Sequence, residues 1–442
     1  MKRIGAGKKD RESVFILAFF IVFGLCLASM LVMALITRGA TFTQTLFHAD
    51  DSVHKDFFMD FFNSIRDASD FDVYSKGATL TPLASLLFHL LSRMMSPDVA
   101  ATPFAKRYSM QSNQQAIVLY FVFMLICIIS LSFIIKNYLQ GEKNKALATV
   151  LSFGFIFIYP LFYAVERGNI IVPAMVCTAF FAFFNDSKSA AIRNLSYIVF
   201  AFGAALKFYP IVFLLLLVQQ KRYKAALKTL IYFLVLFILP GFLYHGVGLL
   251  DYFKNLAAYA AENKWGQSFS IVSITGLVTQ LGGGKTVAVI AEIVTCLIAA
   301  FMVFLAPKKW QKLALLAYIA VNLRLVASVY SLVFFIIPFV VFLSADNKKR
   351  TFDWGYFVLF CLLLLPLPCF WYFKPATMDW LFRLLNRTSV PNLNLVIMTP
   401  VVQLTFLVLC FDCVINFAAA LKSGKSLRSF FLPDRKNLAV SA

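Results

Sequence analysis

The sequence predicts an all-α polytopic membrane protein, and three observations predict it. Hydrophobic residues make up 61% of the chain, well above the share usual in soluble domains. Many apolar runs reach the roughly 20 residues that a helix needs to cross a bilayer, and in lipid only a helix satisfies its backbone within one segment. The basic residues fall in short clusters between these runs, as cytoplasmic loop charges do. The net charge of +20 is therefore read as membrane topology, and no nucleic acid is expected as a partner.

Met1 to Arg11 carries five basic residues, which sets the first span, Val14 to Ile36, with its start in the cytoplasm. That span is too long for the apolar core of a signal peptide, about 7–15 residues, and is read as retained. Residues 37–113 then form an outer loop holding eight of the 21 acidic residues: Asp50, Asp51, Asp56, Asp60, Asp67, Asp70, Asp72 and Asp98. Within it, Leu80 to Met95 is apolar but short, an interfacial or partly inserted helix.

Further crossings are expected at Gln114–Ile135, Ala148–Ala164 and Ile170–Phe184. Leu195 to Val218 has basic clusters at both ends. A hairpin of two short helices turning at Lys207-Phe208-Tyr209-Pro210 keeps both clusters inside, and a helix break before Pro suits it. Leu313 to Leu343 repeats this arrangement, with Arg324 near the turn. Thr229–Val247, Thr286–Ala306, Trp354–Phe373 and Leu395–Leu421 complete about twelve membrane segments, with outer loops at Leu250–Gly284 and Lys374–Asn394. Both termini are then cytoplasmic, and more than half of the 41 basic residues lie inside. The chain reads as one integral membrane domain, 1–442: a first span 14–36, an outer catalytic loop 37–113, further spans within 114–421 and a basic tail 422–442.

The eight cysteines all lie in apolar runs, so no disulfide framework is expected, and Cys410 and Cys413 read as packing. The four histidines lack metal-ligand spacing. Chemistry is sought instead in ionisable residues flanked by apolar helix, which cost on the order of several kcal/mol unless paired or hydrated. Glu166-Arg167-Gly168-Asn169, Lys207 and Arg324 all fall at the outer side, where cations would suit an anionic lipid-linked phosphate. The alternatives are that Arg167 pairs with an acidic neighbour and Lys207 snorkels. In DFFMDFFNSIRD, a helix would bring Asp56, Asp60 and Asp67 to one face and dock its phenylalanines on the membrane surface. A carboxylate beside apolar surface has a raised pKa, which helps it take a proton from a hydroxyl. Asp70-Phe71-Asp72 resembles the DxD of nucleotide-sugar transferases. Glu292 and Asp412, within apolar helices, are either structural pairs or marks of an ion pathway. Tyr252, Tyr259, Trp265 and Gln267 are either sugar contacts or an interfacial aromatic belt.

Asp60-Phe61-Phe62-Asn63-Ser64 followed by Leu80-Thr81-Pro82-Leu83-Ala84-Ser85-Leu86-Leu87-Phe88 resembles the first outer loop of the GT-C polyprenyl-phosphate-sugar glycosyltransferases of family 87. The mycobacterial phosphatidylinositol mannoside mannosyltransferases belong to that family. Glu166-Arg167-Gly168-Asn169 looks like its R-G-Q/N element, Lys207-Phe208-Tyr209-Pro210 is similar to its K-x-x-P segment, and Asn322 to Pro338 looks like its later Ser-Tyr-Pro helix. One Pro of its YPPLAALLF-like segment is retained, and its Ser-Pro reads Ala327-Ser328 here. The resemblance implies a GT-C bundle in a bacterial cytoplasmic membrane and an inverting transfer of one hexose, such as mannose, from a polyprenyl-phosphate sugar. The acceptor is a lipid or glycan on the outer face, and no metal or other cofactor is implied. It makes Asp60 the general base and Lys207, Arg167 and Arg324 the phosphate binders, with Asp56, Glu166, Asn169 and Tyr209 as further site candidates. The rival functions are a flippase or transporter of lipid-linked oligosaccharide and a polysaccharide polymerase.

Overall fold

The computed structural model describes residues 6–39, 57–95, 110–111, 113–141, 145–245, 248–262, 272–323, 329–345, 351–366 and 393–424. Every regular element among them is helical. The first half holds α1 (Ala6–Ile36), α2 (Met59–Asp67), α3 (Pro82–Ser92), α4 (Gln114–Gln140), α5 (Lys145–Gly154), α6 (Tyr159–Arg167), α7 (Ile171–Phe184) and α8 (Ala190–Leu206). The second holds α9 (Leu215–Gln219), α10 (Tyr223–Ile238), α11 (Leu249–Glu262), α12 (Ile274–Gln280), α13 (Lys285–Leu305), α14 (Lys309–Asn322), α15 (Ile336–Ser344), α16 (Thr351–Leu364) and α17 (Leu393–Lys422).

Five described stretches are long and apolar enough to cross a bilayer alone: Val14–Ile36, Gln114–Gln140, Tyr223–Leu243, Lys285–Leu305 and Ile397–Lys422. The expected span at Ala148–Ala164 is instead a broken one, with Lys145–Phe157 and Tyr159–Arg167 meeting at 55°. Pro160 stands in the first turn of α6, the one helical place where its missing N–H costs nothing. The expected crossing at Ile170–Phe184 is α7, 14 residues with nearly all side chains buried. At 1.5 Å per residue it falls short of a hydrocarbon core of about 30 Å, so its apolar surface is covered by protein. The Leu250–Gly284 loop is itself helical in α11 and α12.

The first expected hairpin is present, and the two arms of the second pack on each other. Helix α8 ends at Lys207, whose backbone is extended (φ −145°, ψ 112°), and a 3-10 turn starting Tyr209-Pro210 follows. Beyond α9, Arg222 donates to the carbonyl of Asn185 at 2.6 Å and to the hydroxyl of Tyr197, so the chain has returned to the start of α8. Likewise Trp310, at the start of α14, packs on Phe342 near the end of α15, with ring centroids 5.2 Å apart. The turn bearing Arg324 lies outside the described residues.

These contacts define two ends of the bundle. One gathers Arg222 with Asn185, Lys309 with Asp186 at 3.1 Å and Lys308 with Asp353 at 3.2 Å. The opposite end gathers α2, α3, the α6–α7 turn, Lys207 and α11. There Asn255 of α11 donates to the Tyr74 carbonyl at 2.7 Å, and Tyr244 donates to that of Pro82 at 3.2 Å.

The aromatic side of α2 meets protein, not a membrane surface. Phe61 and Phe62 are fully buried, with Phe61 against Phe88 and Tyr120. The periodicity correctly marks a buried face, but α3 and α4 supply the apolar surface that lipid was expected to supply. Asp412 is held by Gln311 at 2.5 Å, Tyr356 at 3.2 Å and Asn416 at 2.8 Å, and Glu292 by Thr275 at 2.6 Å. Both are thus hydrogen-bonded to neutral side chains across the bundle. The cysteines among the described residues are unbridged.

Candidate functional site

The site is set by a backbone junction between α2 and the end of α6. Phe58, just before α2, adopts a left-handed conformation (φ 62°) with no glycine to ease it. Its amide donates to the Glu166 carbonyl at 2.8 Å and its ring stacks on Tyr120 at 4.0 Å, which holds the strained residue in place. Helix α6 closes at Gly168 (φ 68°), the usual left-handed C-terminal position. A Cβ there would lie 2.6 Å from the Cβ of Phe61, so any residue but glycine forces α2 and the end of α6 apart.

This close approach lays Asp60 over the residues on either side of Gly168. Arg167 Nη2 donates to Asp60 Oδ1 at 2.7 Å, and Asn169 Nδ2 donates to Asp60 Oδ2 at 2.6 Å. Asn169 is buried, and its Oδ1 accepts from the Ile171 amide at 3.0 Å and from Lys207 Nζ at 3.5 Å. The two acceptor contacts fix the amide so that its NH2 faces the carboxylate. Lys207 is positioned in turn by Thr81, which caps α3 and donates to the carbonyls of Ala205 at 2.7 Å and Leu206 at 3.0 Å. Those carbonyls end α8, where the helix leaves its last acceptors without internal donors.

Burial opposes ionisation of Asp60, but the charge and hydrogen bond of Arg167, the Asn169 bond and the Lys207 charge outweigh it. The carboxyl is held below its ordinary value of 3.8. This corrects the expectation of a raised pKa: the apolar surroundings are there, but a salt bridge to a residue 107 positions away reverses their effect.

Beside this cluster lies a cavity of about 300 Å³. Lys207, Tyr209, Thr79 and Thr81 contribute its polar lining, and Phe208, Phe253, Leu256 and Leu323 much of its apolar wall. Phe208, Phe253 and Leu323 are each about half exposed, so the apolar wall continues to the bundle surface. Asp60 is not part of the lining; it stands behind Lys207, joined to it through Asn169. Tyr252 and Tyr259 line the same cavity from α11, so they are more than a belt, and Tyr330 adds a phenol that the sequence did not single out. The role of Thr81 was also missed, although Thr-Pro ahead of an apolar run is a helix-start signal that could have found it.

Of the other candidates, Glu166 is buried and gives its backbone carbonyl to Phe58, while Tyr209 is buried at the cavity. Asp56, Arg324, Trp265 and Gln267 lie outside the described residues. Asp70-Phe71-Asp72 is a surface turn: Asp70 accepts from the Asp72 amide at 3.0 Å and pairs with exposed Lys76 at 2.6 Å. Neither of its carboxylates lines the cavity. Among the described residues, no group of three or more His, Cys, Asp or Glu is arranged to hold a metal ion.

The sequence model of glycosyltransferase family 87 matches residues 81–334, more than half of the chain. No curated protein and no solved structure matches. Thr81, Arg167, Asn169 and Lys207 lie within the matched stretch; Asp60 precedes it.

Proposed function

The chain belongs to glycosyltransferase family 87 and is a membrane glycosyltransferase; from this we propose that it moves one hexose, such as mannose, from a polyprenyl-phosphate sugar to a lipid or glycan acceptor. The observation that carries the proposal is a carboxylate and two cations in one hydrogen-bonded cluster, Asp60–Arg167 and Asp60–Asn169–Lys207, next to a cavity whose apolar wall reaches the bundle surface. A lipid-linked donor needs such a lateral opening, because its chain stays in the bilayer while its phosphate meets the cations.

Asp60 accepts the proton of the acceptor hydroxyl as the hydroxyl oxygen attacks the anomeric carbon opposite the phosphate. The bond from that carbon to the phosphate oxygen breaks, and polyprenyl phosphate departs with one more negative charge. Lys207, which lines the cavity, and Arg167, joined to it through Asp60 and Asn169, are assigned to stabilise that charge, and fixed cations in a water-poor cavity do so most effectively. Arg324 is proposed as a third phosphate contact from its place in the sequence. The basic clusters at the far end of the bundle support a cytoplasmic orientation for that end and for both termini. The site then opens on the outer face of a bacterial cytoplasmic membrane.

The test is purified protein in lipid with a panel of radiolabelled polyprenyl-phosphate sugars and an extract of lipid and glycan acceptors. Label should pass to a new product with the native protein and not with Asp60→Asn. Movement of lipid-linked sugar across liposomes without transfer would favour the flippase instead.

A further inference from the structure

The Asp60–Arg167 pair sets a difficulty for the reaction, since a carboxylate already engaged by a guanidinium at 2.7 Å is a poor base. We infer that Arg167 is exchanged: donor phosphate takes the guanidinium from Asp60, so the carboxylate is released to act only when the donor is in place. The inference rests on the reading of Asp60 as general base and names the control of that base.

Three features of the site carry it. Neither partner is sealed: the side chains are 15% and 25% exposed for Arg167 and Asp60, so the pair lies within reach of an incoming group. Arg167 also ends the helix that borders the cavity, because Tyr163, one turn earlier, stacks on the cavity residue Tyr330 at 6.2 Å. Asp60 would not be stranded by the exchange, since Asn169 still donates to its other oxygen at 2.6 Å. A phosphate offers the planar guanidinium two oxygens at once, which the present contact does not use: one guanidinium nitrogen reaches Asp60.

Charge bookkeeping over Asp60, Arg167 and Lys207 favours the same sequence. Alone, the three groups carry one net positive charge; Glu166, which also acts on Arg167, keeps its charge throughout and does not enter the difference. A donor phosphodiester, with one negative charge, neutralises them. In the transfer step the acceptor hydroxyl loses its proton to Asp60, and the leaving phosphate gains the negative charge that Asp60 loses. The sum is unchanged, while the attraction for Arg167 moves wholly to the phosphate. When polyprenyl phosphate leaves, Arg167 returns and the Asp60 proton is expelled to water. The device also protects the donor, because water arriving alongside an unseated donor meets a carboxylate that is still engaged.

Among the described residues, the charged groups acting on Asp60 are Arg167 and Lys207. Glu166 and Tyr163 act on Arg167. Arg66, on the same helix as Asp60, is paired with Asp67 at 2.9 Å, and His89 of α3 is bonded to the carbonyl of Ala68 at 2.9 Å.

The experiment uses full-length protein in lipid nanodiscs, with radiolabelled polyprenyl phosphate to verify occupancy. The infrared carboxyl band of Asp60, assigned by difference from Asp60→Asn, is titrated with and without bound polyprenyl phosphate. The expected result is a midpoint at least one pH unit higher, a tenfold change in proton affinity, when the lipid phosphate is bound. Arg167→Gln should show the higher midpoint without any ligand, and Arg167→Lys, which keeps a charge at the site, should retain the low one. A midpoint that stays put in the occupied native protein overturns the exchange. Wild-type turnover by Asp60→Asn overturns the base assignment instead, so the two failures are separable.

Discussion

The hydroxyl of Thr81 donates to the carbonyl of Leu206, the residue before Lys207, at 3.0 Å, and to that of Ala205 at 2.7 Å. One side chain therefore starts α3, finishes α8 and fixes the departure of the Lys207 backbone. Thr81→Val keeps the shape and leaves buried carbonyls without a donor, at a cost of about 1–3 kcal/mol. Reduced thermal stability and a loss of transfer larger than that of a matched core variant such as Val176→Ala are expected. Stability and activity equal to the native protein would remove Thr81 from the positioning of Lys207.

Gly168 makes the second prediction. Alanine there must adopt a left-handed backbone, which costs about 1–2 kcal/mol, and its Cβ meets that of Phe61 at 2.6 Å. Phe61 is buried and cannot swing away, so α2 shifts and carries Asp60 with it. A displacement of about 1 Å in a reacting group is worth on the order of a hundredfold in rate. Gly168→Ala should thus lower kcat on that order while the protein still inserts in the membrane, as measured by transfer assay and size-exclusion profile.

Part of the site was legible because Arg167 and Lys207 interrupt apolar sequence at a cost that demands a reason. Asp60 sits in a polar loop with seven other acidic residues and is singled out through the family resemblance, as is Asn169; the structure brings the four together. The protonation of Asp60 was not legible, since its sign depends on Arg167, 107 residues away, and local composition argues the other way. Hydropathy also fails to say what covers an apolar face. It treats α7, enclosed by protein, like α4, which shows Phe121, Leu125 and Ile129 at the bundle surface. For the same reason the phenylalanines of α2 looked like membrane anchors. The turn at Lys207–Pro210 was readable because charge at both ends of an apolar run, with Pro in the middle, leaves few other solutions.

Lys207 lines the cavity, and Asp60 does not, so their variants should fail differently. Lys207→Ala removes a charged hydrogen-bond donor worth about 1.5–3 kcal/mol, which corresponds to a tenfold or larger rise in donor KM. The acceptor KM should be unchanged. Equal donor KM in the variant and native protein would mean that the ammonium group only reaches for water.

The depressed pKa of Asp60 has a consequence for stability, with a definite sign. The carboxylate is favoured in the folded state, so the stabilisation is fully present above its ordinary value of 3.8 and is lost as pH falls through the lower folded value. Asp60→Asn should therefore melt below the native protein at neutral pH. The gap should close on acidification below 3.8, followed by thermal unfolding in detergent across that range. A gap that is independent of pH would show that the ion pair is not its source.

Asn169 is the most discriminating position. Its Oδ1 serves the Ile171 amide and Lys207, while its Nδ2 serves Asp60. Asn169→Asp preserves both acceptor contacts and replaces only the donor, setting a second carboxylate oxygen where the present contact to Asp60 is 2.6 Å. Two carboxylates at that distance share a proton, which raises the apparent pKa of the pair. The base is then occupied at neutral pH, so kcat should fall further than in Asn169→Ala, which loses the same hydrogen bond without adding charge. Activity of Asn169→Asp should recover as pH rises, whereas that of Asn169→Ala should not. The informative measurement is the acid limb of the kcat profile for both variants. An upward move in the aspartate variant alone ties Asn169 to the protonation of Asp60, and matching profiles would reduce it to a cap on α7.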